Sequence, residues 1–130
     1  MSLNEDLAQR LAMIAKLQDL LGADRFRAIS NERASRAIEG IAEDVRDLAK
    51  DRARLLAIDG IGPKIADKVI EFVNTGRIAE LAELSAQVPP GVLKMMEIPG
   101  MGPKTAALIW REGGIDTVDK LKVAIDEALA

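Results

Sequence analysis

Two short stretches of this chain have the residue types and spacing to hold an anion with the backbone. In the first, Gly60-Ile61-Gly62-Pro63-Lys64, two glycines flank one apolar residue and allow a sharp turn through φ values that other residues resist. Pro63 suits the first turn of a following helix, where its missing N–H costs nothing. A helix starting there presents unpaired N–H groups beside a turn without large side chains, and Lys64 adds a charge next to them. Such a surface accepts a phosphate oxygen. Ile61 is expected to point inward as a plug, and Ala66 is small enough to let the two flanking helices close up. The pattern returns forty positions later as Gly100-Met101-Gly102-Pro103-Lys104, with Ala106 in the place of Ala66. The shared core, I-x-G-(I/M)-G-P-K-(I/T)-A, is an internal repeat, and repeats take precedence in reading a fold.

The elements that must position these turns are all helices. Asn4 is expected to cap a helix over 4–21, with Leu7, Leu11, Ile14, Leu17, Leu20 and Leu21 on one face. Residues 23–40 read as a second helix or a broken pair, with Phe26, Ile29, Ala34, Ala37 and Ile38 inward. Arg25, Arg27, Arg33 and Arg36 give it the densest basic surface in the chain, or else pair with Asp24, Glu32 and Glu39. A short helix follows over 42–50 on Val45 and Leu48. Residues 52–58 and 63–74 flank the first turn, and Asn74-Thr75-Gly76 stops the second of them. Another short helix lies over 77–84. Pro89-Pro90-Gly91 opens the helix that leads into the second turn, and Gly113-Gly114 ends the one that leaves it. Thr117 caps a final helix on Val118, Leu121 and Ile125, with Asp119 in its first turn. No stretch alternates as a strand does, so the fold class is all-α.

Both turns resemble the helix-hairpin-helix motif, whose usual role is to grip a nucleic-acid backbone without reading its sequence. Composition narrows the rest. In 130 residues there is no Cys and no His, which excludes disulfides, thiolate metal sites and imidazole catalysis. Aromatic residues make up 2% of the chain, so stacking on single-stranded bases is disfavoured, and Trp110 is expected to be buried. No apolar run approaches the roughly 20 residues that span a bilayer, and the first residues lack a signal peptide's basic start. The expectation is a cytoplasmic protein without membrane contact. The net charge is −3, and residues 1–50, 51–90 and 91–130 each carry one net negative charge. Any DNA binding must therefore come from local geometry and be modest and salt-dependent.

The order of these pieces is similar to the N-terminal region of family X DNA polymerases, the group that includes DNA polymerase beta. The resemblance rests on N-x-x-L-A at 4–8, L-L-G-A-D-R-F-R at 20–27, R-A-S-R-A-I-E at 33–39, both glycine turns, T-G-R-I-A-E-L-A-E-L at 75–84 and G-I-D-T-V-D-K-L at 114–121. It covers roughly residues 4–125. It implies a lyase-like helical lobe over 1–84 holding the first hairpin (56–70), and a second hairpin lobe over 85–130 (96–110). The polymerase palm and its metal-binding aspartates are not in this sequence, so polymerisation is excluded for it.

The same resemblance implies site residues. Lys68 falls on the family's Schiff-base lysine, Lys64 on a phosphate-contacting lysine that would activate it by like-charge repulsion, and Arg27 on a basic phosphate ligand. Three pocket positions depart from the family: Phe26 replaces a His, Asn31-Glu32 a Tyr-Arg pair, and Leu56 a Lys. Glu32 is then placed to offset the charge around Lys68. Ile65, Val69 and Phe72 are expected to seat the opposite side of that helix in the core. Hairpin carbonyls of Leu56, Ile58 and Ile61, and of Met96, Ile98 and Met101, match those that hold a monovalent cation, K⁺ or Na⁺, in the family. No other cofactor is required.

Three functions stand against one another. The first is a DNA-binding module that grips gapped, nicked or duplex DNA through Gly60, Ile61, Gly62, Lys64, Gly100, Met101, Gly102, Lys104 and Arg27, in DNA repair and alongside other repair proteins. The second is a deoxyribose-phosphate lyase with Lys68 as nucleophile. The third is a helical bundle that binds protein partners and needs no DNA.

Overall fold

The computed structural model describes all of residues 1–130 as nine helices without a strand. These are α1 (Leu3–Leu20), α2 (Arg25–Gly40), α3 (Val45–Leu48), α4 (Arg52–Leu56), α5 (Pro63–Thr75), α6 (Ala79–Ala86), α7 (Pro90–Met95), α8 (Pro103–Arg111) and α9 (Val118–Leu129). The all-α reading holds, and 23–40 is one helix rather than a broken pair. No helix is long and apolar enough to cross a membrane.

Helix α1 starts two residues earlier than a cap at Asn4 would allow. The hydroxyl of Ser2 accepts from the Glu5 N–H at 3.1 Å and takes the cap role. Asn4 instead ties α1 to the chain entering α3: its Nδ2 donates to the Glu43 carbonyl at 2.8 Å and its Oδ1 accepts from the Val45 N–H at 3.0 Å. An amide side chain, with both a donor and an acceptor, is suited to such a bridge.

The interior consists of two apolar clusters. Leu7, Leu11 and Ile14 of α1 join Ala34 and Ile38 of α2, Val45, Leu48 and Leu55, and the inner face of α5 in the first. Leu17 and Leu20, one to two turns further along the same helix, join Val88, Val92, Met95, Ala106 and Leu121 in the second. Leu81 and Leu84 of α6 pack against both. One helix therefore threads two cores, and its apolar stripe is continuous because both need it. Ile65, Val69 and Phe72 are buried as the spacing predicts, and the Arg10 guanidinium lies 5.1 Å from the Phe72 ring centre.

Three apolar residues stand elsewhere than their spacing suggests. Phe26 is 80% exposed, because α2 turns Ala28, Asn31, Ala34, Ser35 and Ile38 inward and leaves Phe26 on the opposite side. Ser35 and Asn31 replace it in the interior, with the Ser35 hydroxyl donating to the Ala8 carbonyl at 2.7 Å. Ile125 is 49% exposed, since α9 meets the second cluster mainly through its first two turns. Trp110 is half-buried against that cluster, with the Arg111 guanidinium 5.4 Å from its ring.

Because α1 belongs to both clusters, Leu11→Ala should loosen the second as well as the first. The expected cost is about 2–5 kcal/mol. In urea, Trp110 fluorescence, which reports the second cluster, should shift its midpoint together with far-UV circular dichroism. A Trp110 transition left at the wild-type midpoint would mean that the clusters unfold independently.

Candidate nucleic-acid interface

The two glycine turns have the same backbone. In the first, the Ile61 N–H donates to the Ile58 carbonyl at 3.1 Å; in the second, the Met101 N–H donates to the Ile98 carbonyl at 2.9 Å. Gly60 (φ 96°) and Gly100 (φ 84°) take the left-handed conformation that makes this turn close. Gly60 also sits under α2, where an added Cβ would lie 3.4 Å from the Ala37 Cβ and 3.5 Å from the Arg33 carbonyl oxygen. Ile61 is buried as a plug, whereas Met101 is half-buried because the second cluster is smaller and more open.

Gly62 and Gly102 differ from their partners in a way that spacing alone does not reveal. Their φ values of −90° and −84° are open to any residue, and a Cβ on either would meet nothing within 4 Å. Neither chain conformation nor packing within the chain calls for glycine there. Each is the residue before Pro63 or Pro103, so neither provides a side chain to cap its helix. By contrast, Ser2, Asp24, Asp44, Asp51 and Thr117 cap their helices by side-chain hydrogen bonds. The N–H groups of Gly62, Lys64 and Ile65, and of Gly102, Lys104 and Thr105, make no hydrogen bond within the chain. On the other side of each turn, the carbonyls of Leu56 and Ile61, and of Met96 and Met101, accept none either, while Ile58 and Ile98 each accept one.

Arg27, Lys64 and Lys68 meet in one cleft of about 720 Å³ between α2, α5 and α6. It adjoins a second cleft of about 660 Å³ lined by Arg33 and the Gly60–Gly62 turn, with Phe26 and Ser30 on the shared rim. Lys104 lies apart from both, in a shallow hollow with Asp19 and Arg111 at the α1–α8 contact. Of the α2 arginines, only Arg25 is paired, to Asp19 at 2.7 Å and Glu32 at 3.8 Å. No carboxylate lies within ion-pair distance of Arg27, Arg33 or Arg36, so the basic face of α2 is free. Arg33, which the sequence marks only as part of the basic surface of α2, lies beside the first turn and joins the candidate residues.

Lys68 is held in a closed polar ring. Its Nζ donates to the Asn31 Oδ1 at 3.0 Å and pairs with the Glu80 Oε2 at 3.0 Å. The Gln18 Nε2 donates to the Glu80 Oε1 at 3.2 Å, and the Asn31 Nδ2 donates to the Gln18 Oε1 at 3.1 Å, closing the circuit. Asn31 also donates to the Arg27 carbonyl at 3.0 Å. The carboxylate on Lys68 is thus Glu80 and not Glu32, which is occupied by Arg25. Gln18 and Asn31 are buried, so leaving any member unpaired would be costly. The four residues come from α1, α2, α5 and α6, and no sequence spacing announces them.

The groups whose titration is displaced are exposed members of ion pairs, and none of them lines either of the two clefts beside the first turn. The Arg46 backbone N–H and then its side chain hold the Asp44 carboxyl below its usual range, and a hydrogen bond from Lys120 does the same for Asp116. Hydrogen bonds to Asp19 and Asp44 raise the Arg25 and Arg46 guanidinium groups.

Comparison with known proteins agrees with this geometry. The family described as "Helix-hairpin-helix domain" matches residues 2–78, and the one described as "SAM-like Helix-hairpin-helix tandem" matches residues 92–130. The chain is similar to the DNA polymerase/3'-5' exonuclease PolX of Bacillus subtilis (strain 168), at 27% identity over 123 residues, covering 95% of this chain and 21% of that protein. It is also similar to DNA polymerase lambda of Rattus norvegicus, at 29% identity over 111 residues, covering 85% of this chain and 18% of that protein. It spans about one fifth of the length of these curated relatives. With a family match over more than half its length and both glycine turns formed, the chain belongs to the helix-hairpin-helix domain family and corresponds to the N-terminal helix-hairpin-helix region of family X DNA polymerases.

Proposed function

We propose that this chain is a sequence-nonspecific DNA-binding module of DNA repair that grips backbone phosphates with its two hairpins. The observation that carries this reading is the pair of uncapped helix starts, each with three free N–H groups, a glycine with no role inside the chain, and a lysine directly behind. A bare helix N-terminus is electropositive and donates hydrogen bonds, and a glycine in front of it lets a phosphate approach. Both relatives are DNA polymerases by name. Such contacts position a duplex without specifying its sequence. Arg27, Arg33 and Lys64 extend the first turn toward the 5′-phosphate side of a gap or nick, and other repair proteins are the natural company of such a module. The carbonyls of Leu56, Ile58 and Ile61, and of Met96, Ile98 and Met101, would hold a K⁺ or Na⁺ that bridges to a phosphate oxygen; the free carbonyls at both turns fit a hard cation.

A second reading is deoxyribose-phosphate lyase, favoured by the position of Lys68 in the cleft with Arg27 and Lys64. There the amine would add to the C1′ aldehyde of the sugar and lose water to give a Schiff base. Removal of a C2′ proton would then expel the 3′ phosphate by β-elimination. Lys68 would first have to leave Asn31 and Glu80.

Three measurements test these readings. In fluorescence anisotropy on a gapped duplex, Gly62→Ala with Gly102→Ala should weaken binding about tenfold while stability changes by no more than about 1 kcal/mol per site. Equal affinity would mean that the turns do not meet phosphate. Lys104→Ala should lower the slope of log K against log salt by about 0.9, the signature of one lost phosphate contact. Borohydride treatment on DNA with a 5′ deoxyribose phosphate, run beside Lys68→Ala, should trap no Lys68-dependent adduct; an adduct would establish the lyase. A chain that neither shifts DNA at low salt with K⁺ present nor forms an adduct would be a protein-binding bundle.

A further inference from the structure

We propose that Glu80 is a built-in competitor for the cleft lined by Arg27, Lys64 and Lys68, standing where a terminal phosphate of DNA would stand and yielding to it. The inference rests on the reading of this cleft as a place where a DNA phosphate enters, and goes beyond it by assigning an autoinhibitory contact. The carboxylate of Glu80 gives Lys68 an anionic oxygen at 3.0 Å, which is what a phosphate oxygen would offer. Three cationic side chains of the cleft, Arg27, Lys64 and Lys68, face three anionic ones, Asp67, Glu80 and Glu83. With Glu80 in place the cleft has no excess charge to attract an anion. Asp67 is already paired with Arg52 at 3.2 Å, and no cation lies within ion-pair distance of Glu83, so Glu80 is the anion that occupies a cationic member of the cleft.

The ring is built so that one member can move. Gln18 and Asn31 are buried at the α1–α2 contact, and Lys68 is only 14% exposed in its side chain. Glu80 is 35% exposed in its side chain and belongs to α6, which contributes no fully buried residue. Withdrawing Glu80 opens no hole in either core, and the donors it leaves, the Lys68 Nζ and the Gln18 Nε2, both belong to the lining of the cleft, where an incoming phosphate oxygen would accept from them in its place. A phosphate monoester dianion carries more charge than a carboxylate and can also reach Lys64 and Arg27. It should therefore displace Glu80, while an internal phosphodiester, with one charge, competes less well.

The test measures anisotropy of the whole chain on two gapped duplexes, alike except for a 5′-phosphate or a 5′-hydroxyl at the gap. Glu80→Gln should bind the phosphorylated duplex about tenfold more tightly than wild type, the effect of one additional charge-assisted hydrogen bond, and the hydroxyl duplex less than about threefold more tightly. Asp126→Asn on α9, which removes the same charge far from the cleft, should match wild type on both. If Glu80→Gln proves unstable by circular dichroism, Glu80→Ala, which removes the carboxylate altogether, provides the same readout. Unchanged preference for the phosphate end, or an equal increase from Asp126→Asn, overturns the proposal. In that case salt-sensitive binding to both duplexes would still stand for the hairpin grip. Binding to neither duplex by any of the chains overturns both.

Discussion

The structure depends on α1 being shared. A helix of 18 residues offers five turns of apolar stripe, and no single cluster in a chain of this size uses them all. The first three turns close the core under α2 and α5, and the last two close the core under α7, α8 and α9. Each glycine turn is carried by a helix pair that is too short to fold alone: α4 and α7 have five and six residues. Both pairs acquire their stability from packing, directly or through a neighbour, on the same long helix. That is how two copies of one motif are held in a fixed relation within 130 residues.

Against that scaffold, the two helices that follow the glycine turns share a Gly-Pro start that no other helix has. At the starts of α1, α2, α3, α4 and α9 a Ser, Asp or Thr side chain satisfies one of the first N–H groups, whereas α7, which begins at Pro90 behind Pro89, has no side-chain cap. The first N–H of α6 is also met within the chain, by the Glu71 carboxylate at 2.9 Å. At α5 and α8 a glycine stands in the cap position and Pro removes one donor, leaving the next amides for solvent or ligand. A protein that gives up two caps, worth about 1 kcal/mol each, loses stability at those places. The repeat of this choice at two turns with one geometry is what makes it a functional feature rather than a local accident.

The cationic side chains follow a different logic. Net charge is −3, and eight of the 18 arginines and lysines are paired with a carboxylate. Of the unpaired ones, Arg27 and Arg33 on α2 and Lys64 at the start of α5 line the two clefts beside the first turn, while the other seven do not. An acidic protein can thus keep unpaired cations together on one surface, where they act at short range and subject to salt. The Lys68 ring lies beneath this surface as a fully satisfied polar network, which fixes how α1, α2, α5 and α6 approach one another.

What the sequence determined by itself is everything set by local spacing and by repetition. The helical class, the two turns, Pro63 and Pro103 at helix starts, the Ile61 plug and the buried face of α5 follow from periods of three to four residues and from backbone preferences. The family resemblance adds Lys64, Lys68 and Arg27, which share one cleft in the fold. Only the tertiary structure decided the rest, because it depends on contacts between residues far apart in the chain. It turned Phe26 out and Asn31 in, since α2 rotates to suit α1 and not its own hydrophobic count. It replaced Asn4 by Ser2 as a cap and used Asn4 to join elements 39 and 41 residues away. It placed Glu80, twelve residues beyond Lys68 and 62 beyond Gln18, in a ring that no periodicity encodes. Hydrophobic patterning tells which face of a helix is buried; which polar groups then meet in the interior is fixed only when the helices pack.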